Sequence, residues 1–145
     1  MEQRVNVHQK GQQAMAALYE TGKYLAKSSI ESKLLKLIYF RVSQINGCAF
    51  CLDMHSKDAR KLGMTEQRIY LLNAWKETKL YTEEEKAVLA MTEEITLIQN
   101  HLSDATYNKA IQLFDEAYVA NIIMMITTIN AWNRIAIATE LQPAN

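Results

Sequence analysis

Almost nothing in this sequence obliges the chain to break. Proline occurs once, at Pro143, and glycine only four times in 145 residues, which argues against architectures of many short strands joined by Gly- and Pro-rich turns. Long apolar runs are missing as well, since nowhere do about 18 apolar residues follow one another as a membrane span requires. The opening Met1-Glu2-Gln3-Arg4-Val5-Asn6 has no apolar core of the signal-peptide kind, so a cytoplasmic protein that makes no membrane contact is expected. Charge of either sign is not in excess, with Lys plus Arg and Asp plus Glu both at 16, and no strong field is available to attract nucleic acid or an anionic membrane. Cysteine is nearly absent too. The two present, Cys48 and Cys51, lie three residues apart, not in the scattered framework that staples small secreted domains.

What is plentiful is hydrophobic residues, 49% of the chain, together with the helix formers Ala, Leu, Glu, Lys, Gln and Met. The length suits one core better than two. We therefore expect a single all-α domain over residues 1–145, its core at about 28–141, built as a bundle of about six to seven helices. The first helix is expected from about Val7 to Leu25, with Met15, Leu18, Tyr19 and Leu25 as its apolar side. Ser28 and Glu31 have capping-box spacing before a second helix to about Ile45, where Gly47 permits a turn. Asn46 is a plausible cap for a third helix holding Cys48 to Leu62 and ended by Gly63. Thr65 opens a fourth through Trp75, and Thr82 with Glu85 a fifth towards Gln99. Ser103 opens a sixth to about Ala117, and Val119 to Leu141 reads as a long, largely buried seventh.

The third helix carries the chemistry. In Cys48-Ala49-Phe50-Cys51-Leu52-Asp53-Met54-His55, Cys51 stands one turn beyond Cys48 and His55 one turn beyond Cys51, on nearly one helix face. Cysteines three apart on a helix are compatible with a disulfide, somewhat strained and so easily reduced. Cys48 near the helix start feels unpaired backbone donors and the positive end of the dipole, which favour its thiolate. Cys51 is within side-chain reach of His55, which can take or return a thiol proton. Two assignments of the nucleophile therefore stand open. A zinc site would use the same three side chains but lacks a fourth ligand: His8 and His101 have no supporting spacing.

The segments Ser43-Gln44-Ile45-Asn46-Gly47-Cys48-Ala49-Phe50-Cys51 and Met54-His55-Ser56-Lys57-Asp58-Ala59-Arg60 closely resemble the AhpD-like alkyl hydroperoxidase branch of the carboxymuconolactone decarboxylase superfamily. The likeness continues through Thr65-Glu66-Gln67-Arg68, Leu72, Ala74-Trp75, Thr82-Glu83 and Ile129 to Ala136. It implies a helical fold assembled as a homo-oligomer, trimer or hexamer. It also implies a peroxide-reducing cycle that oxidises Cys48 and Cys51 to a disulfide. In such proteins the second cysteine, here Cys51, attacks the hydroperoxide, the first, Cys48, resolves the sulfenic acid, and His55 belongs to a proton relay. The electron donor it implies is a dithiol, either a lipoyl-bearing protein or a thioredoxin-like one. One position departs: the family commonly has a Glu twelve residues before the first cysteine, where this chain has Lys36. An ammonium can stabilise a thiolate but is a poor base unless strongly desolvated. Glu31, further back, reads as a cap.

The expected activity is thus an antioxidant oxidoreductase that needs no metal, flavin or haem, with Cys48, Cys51 and His55 as catalytic residues. The alternative is a thiol–disulfide exchange or redox-sensing protein using the same cysteines. A lactone decarboxylase would typically do without the pair, and a helical binding protein with idle cysteines predicts ordinary thiol reactivity. Ile123, Met124, Met125, Ile126 and Ile129 read as interface packing in preference to a peroxide channel. Asn130, Trp132, Asn133 and Arg134 suggest a buried hydrogen-bond network or an oligomer contact.

Overall fold

The structure is a computed structural model that describes residues 4–144; Met1, Glu2 and Gln3 of the opening segment lie outside it. All regular structure among the described residues is helical. Eight α-helices follow in order: α1 (Val7–Lys10), α2 (Gln12–Ala26), α3 (Ser32–Asn46), α4 (Ala49–Lys61), α5 (Glu66–Tyr70), α6 (Glu83–Thr96), α7 (Asp104–Leu113) and α8 (Glu116–Ala138). Two short 3-10 segments, Leu72–Glu77 and Ile98–Asn100, follow α5 and α6. None of these helices is long and apolar enough to cross a membrane.

Helix α3 is the central post, against which α4, α6 and α8 all pack. It can serve so because Leu37, Ile38 and Val42 put apolar surface where their neighbours meet, and all three are fully buried. Leu89 and Met91 of α6 and Ile122, Met125 and Ile126 of α8 close the same core. Each such side chain stabilises the fold by about 1.5–3 kcal/mol relative to exposure. Helix α2 lies outside this post, resting on α8 with Met15 and Leu25 as its buried residues.

Local sequence sets most helix starts. Thr82 and Glu85 form the expected reciprocal box, with Glu85 N–H donating to Thr82 Oγ1 at 3.1 Å and Thr82 N–H to Glu85 Oε2 at 2.9 Å. Thr65, Ser103 and Asp115 cap α5, α7 and α8 through their side chains. The expected box at Ser28 and Glu31 does not form. Ser28 Oγ instead donates back to the Leu25 carbonyl at 2.7 Å, and α3 starts at Glu31 without a side-chain cap. The first helix is interrupted at Gly11, where a residue about 1 kcal/mol poorer than Ala in a helix makes a break cheap. The fourth shortens to α5 and passes into a 3-10 segment kinked at Ala74. The sixth stops at Leu113, because Phe114 is extended and Asp115 opens α8 earlier than Val119. Of the apolar run on α8, Met125, Ile126 and Ile129 are core, whereas Met124 is 45% exposed.

Candidate active site

Gly47 ends α3 in the left-handed conformation (φ 67°, ψ 37°), which glycine adopts without the steric cost of a Cβ. That single turn reverses the chain and sets Cys48 at the head of α4. Cys48 is itself the N-cap, a role the sequence assigned to Asn46: its Sγ accepts from the Cys51 N–H at 3.4 Å. Asn46, the last residue of α3, turns its side chain inward instead. Its Nδ2 donates to Asn130 Oδ1 at 2.9 Å and Asn133 Oδ1 at 3.0 Å, and Asn133 Nδ2 donates to Ser43 Oγ at 3.0 Å. The network expected on α8 thus exists, and it borders the thiols, because Asn133 also lowers the proton affinity of Cys51.

Both thiols are free and almost fully buried, Cys48 at 1% and Cys51 at 2% exposure, with Ala136 of α8 packed against them. The Cys51 side chain, acting as hydrogen-bond donor, holds the Cys48 thiol down at about 7 against the opposing effect of burial, with a smaller contribution from the Cys51 backbone N–H. The same side-chain interaction, reinforced by burial and by the Cys48 charge, pushes Cys51 far above the ordinary thiol range, and Asn133 pulls the other way. The pair therefore behaves as one acid. The negative charge rests on Cys48 at the positive end of α4, and Cys51 keeps the proton between them.

One turn on, His55 is 4% exposed. Its ring meets the edge of Tyr39 at 5.2 Å between centroids. Burial, then the charge of Lys36, lowers its pKa to about 4, with Asp58 opposing, so the imidazole is neutral at physiological pH. Neither ring nitrogen has a hydrogen-bond partner among the described residues, leaving one donor and one acceptor available. Lys36, at the position where a relay acid was looked for, donates to Asp58 Oδ2 at 2.9 Å. Asp58 is thus an acid beside the site that the sequence alone does not single out. Its place one turn after His55 on α4 was a usable signal, though nothing local indicated that Lys36 would meet it. Burial works to raise the Asp58 carboxyl, but the hydrogen bond and charge of Lys36 prevail and hold it below its ordinary value.

Cys51 and His55 open onto a cavity of about 560 Å³ roofed by α2 and floored by α3, α4 and α8. Its walls are mainly apolar, with Leu35, Phe50, Met54, Ile129, Trp132 and Leu141 prominent. Cys48 does not line it. Tyr19 of α2 leans on Trp132 at 4.9 Å between ring centroids and helps form the roof. From its spacing Tyr19 is expected only on the apolar side of the first helix. For a metal the arrangement is poor: no three His, Cys, Asp or Glu side chains group suitably among the described residues, and the remaining histidines are elsewhere, His8 hydrogen-bonded to Tyr19 at the cavity's far end and His101 exposed beyond α6.

Comparison with known proteins agrees with this geometry. Residues 10–94 match the carboxymuconolactone decarboxylase family. The uncharacterized protein YdfG of Bacillus subtilis (strain 168) is 46% identical over 139 residues, 95% of each chain. A crystal structure from Agrobacterium tumefaciens, of a protein of unknown function linked to antioxidant defence and AhpD, superposes with a TM-score of 0.95 at 34% identity over 99% of both chains. The debrominase Bmp8 shares the fold alone, with a TM-score of 0.83 at 20% identity over 93% of this chain and 73% of that one. With the family pattern matched over more than half its length and relatives similar end to end, the chain belongs to the carboxymuconolactone decarboxylase family, as an AhpD-like member.

Proposed function

We propose that the protein is a thiol peroxidase that reduces organic hydroperoxides by cycling Cys48 and Cys51 between dithiol and disulfide, with His55 moving protons. The observation that carries this reading is the division of labour at the head of α4. Cys51 and the unpartnered His55 face an apolar cavity, and the acidic Cys48 stands behind Cys51 within hydrogen-bond range, out of the cavity.

The chemistry follows in balanced steps. When the shared proton passes from Cys51 to Cys48, the negative charge moves to the sulfur that faces the cavity, where Asn133 stabilises it. That thiolate attacks the terminal peroxide oxygen, the O–O bond breaks, and an alkoxide leaves. Sulfur is oxidised to the sulfenic acid. The alkoxide becomes an alcohol by taking the N–H proton of His55, which the ring regains from water. The Cys48 thiol then attacks the sulfenic sulfur, and the S–O bond breaks, releasing water with the Cys48 proton. An external dithiol of the lipoyl or thioredoxin-like kind exchanges with the disulfide, restoring both thiols as it is itself oxidised.

The test is stopped-flow and intact-mass analysis of the reduced protein with cumene hydroperoxide. The parent should lose two hydrogens rapidly, at a rate that rises with pH through about 7, where Cys48 titrates. Cys48→Ser should stop at a sulfenic acid on Cys51, and Cys51→Ser should slow peroxide consumption roughly a thousandfold or more. A parent no faster than a free thiol overturns the reading in favour of thiol–disulfide exchange, a second reading supported by the acidic Cys48 and by Lys36 in place of a relay acid.

A further inference from the structure

The cavity wall carries lysines and no carboxylate. Lys36 and Lys23 line it, and no Asp or Glu does. Lys23 is of little use to a ligand, because its side chain is 66% exposed and already paired with Glu20, so water screens it. Lys36 is different. Its side chain is 20% exposed, it lies 5.7 Å from the centre of the Tyr39 ring, and its charge reaches His55 strongly enough to depress that residue's proton affinity. Asp58 accepts only one of the three ammonium hydrogens, and Asp58 does not line the cavity. Lys61 adds a further, smaller positive influence on Asp58. Lys36 thus lines the cavity with hydrogen-bond donors that Asp58 does not use.

We propose that the cavity binds an apolar, preferably aromatic, carboxylic acid, with its carboxylate on Lys36 and its body against Trp132, Phe50 and Met54. The physiological hydroperoxide would then be one that bears an acid group. The volume of about 560 Å³ falls within the ~300–1,000 Å³ of small-molecule sites, and a desolvated ammonium favours a carboxylate over a neutral group of the same shape. Tyr39, held neutral because burial raises its pKa to about 12, adds no opposing charge. The substrate assignment rests on the peroxidase reading above, but binding of the acid does not.

Isothermal titration calorimetry on the reduced protein separates the two, since it needs no turnover. The probes are 4-isopropylbenzoate and 4-isopropylbenzyl alcohol, equal in body and different in charge. The acid should bind at least about tenfold more tightly, a modest yield for one charge-assisted hydrogen bond. Lys36→Arg should keep that preference and Lys36→Met should abolish it. If Lys36→Met fails to fold because Asp58 is left unpaired, Lys36→Met with Asp58→Asn restores neutrality and should show the same loss. Equal binding of acid and alcohol by the parent overturns the proposal, as does an acid preference that survives removal of Lys36. The hydroperoxide of 4-isopropylbenzoic acid, compared with cumene hydroperoxide in stopped flow, then reports on catalysis. Acid binding without faster reaction would retain the site and overturn the substrate assignment alone.

Discussion

Glu93 on α6 and His55 on α4 are polar side chains on two helices that both pack against α3, and their hydrogen-bonding capacity is used in contrasting ways. Glu93 is saturated. Its Oε1 accepts from Arg41 Nε at 3.2 Å, Arg41 Nη2 at 3.0 Å and Trp75 Nε1 at 2.7 Å, and Lys76 Nζ lies 3.1 Å from Oε2. Burial would raise its pKa, but those partners outweigh it and hold the carboxyl below its ordinary value. His55 has a π-edge neighbour and no hydrogen bond at all. A buried polar group without a partner costs roughly 1–3 kcal/mol, so a chain that ties up one cluster completely and leaves another open is holding the second in reserve. Saturation marks the cluster that fixes helices to one another. The open imbalance marks the one that the proposed reaction would use.

The contrast is broken most directly at Glu93. Glu93→Ala leaves the Arg41 guanidinium, 14% exposed, without its carboxylate and the Trp75 N–H unsatisfied. Urea denaturation at pH 7 should register a loss of about 3 kcal/mol, the lower end of the cost of breaking a buried pair. Peroxide reactivity below the unfolding transition should be untouched. A loss under about 1 kcal/mol would mean that the cluster is structurally idle and that saturation does not identify scaffold here.

The same division explains which features could be read in the sequence. Cys48, Cys51 and His55 were legible because they share one helix, where spacings of three and four residues decide who meets whom. Thr82 with Glu85 was legible for the same reason. Ser28 with Glu31 had identical spacing and misled, because a serine hydroxyl can donate backwards to a carbonyl as readily as it can cap forwards, and here it reaches Leu25. The partnerships that finish the site span longer stretches: Lys36 meets Asp58 across 22 residues and Asn46 meets Asn133 across 87. Such pairs are set by how α3 packs on α4 and α8, and no local pattern encodes them. The roof over the cavity was hidden likewise, since Tyr19 has the spacing of a core residue and acquires its role by leaning on Trp132.

His55 sharpens the comparison through pH. Its folded-state pKa of about 4 lies below the ordinary 6.5, so within that window the unfolded chain binds a proton that the folded chain refuses. Its contribution to stability is therefore complete above pH 6.5 and is lost as the pH falls towards 4. Between pH 7 and pH 5 the loss should be about 2 kcal/mol. His55→Leu should remove that part of the acid sensitivity and, by filling the site with an apolar group, leave stability at pH 7 equal or higher. Paired urea melts at the two pH values decide it. An equal pH slope in parent and variant would show that the folded protein already accommodates the imidazolium, and that the ring is not held in reserve.

The smallest effect is expected at Cys48, and it bears on why a cysteine is there at all. An N-cap has one structural task, to accept a backbone N–H, and serine oxygen does this far better than a thiol, whose sulfur is a weak acceptor. The cap bond is correspondingly long, 3.4 Å from Cys51 N to Cys48 Sγ. If α4 were optimised for stability alone, serine would occupy this position. Cys48→Ser in the fully reduced protein should accordingly match the parent or exceed it by about 0.5–1 kcal/mol in urea melts, although it can form no disulfide. Stability and disulfide chemistry then part company at one atom. A loss greater than about 1 kcal/mol would instead assign the sulfur to packing, where its contacts with Ala136 and Leu141 outweigh a weak cap, and the case for a cysteine retained for chemistry would rest on Cys51 alone.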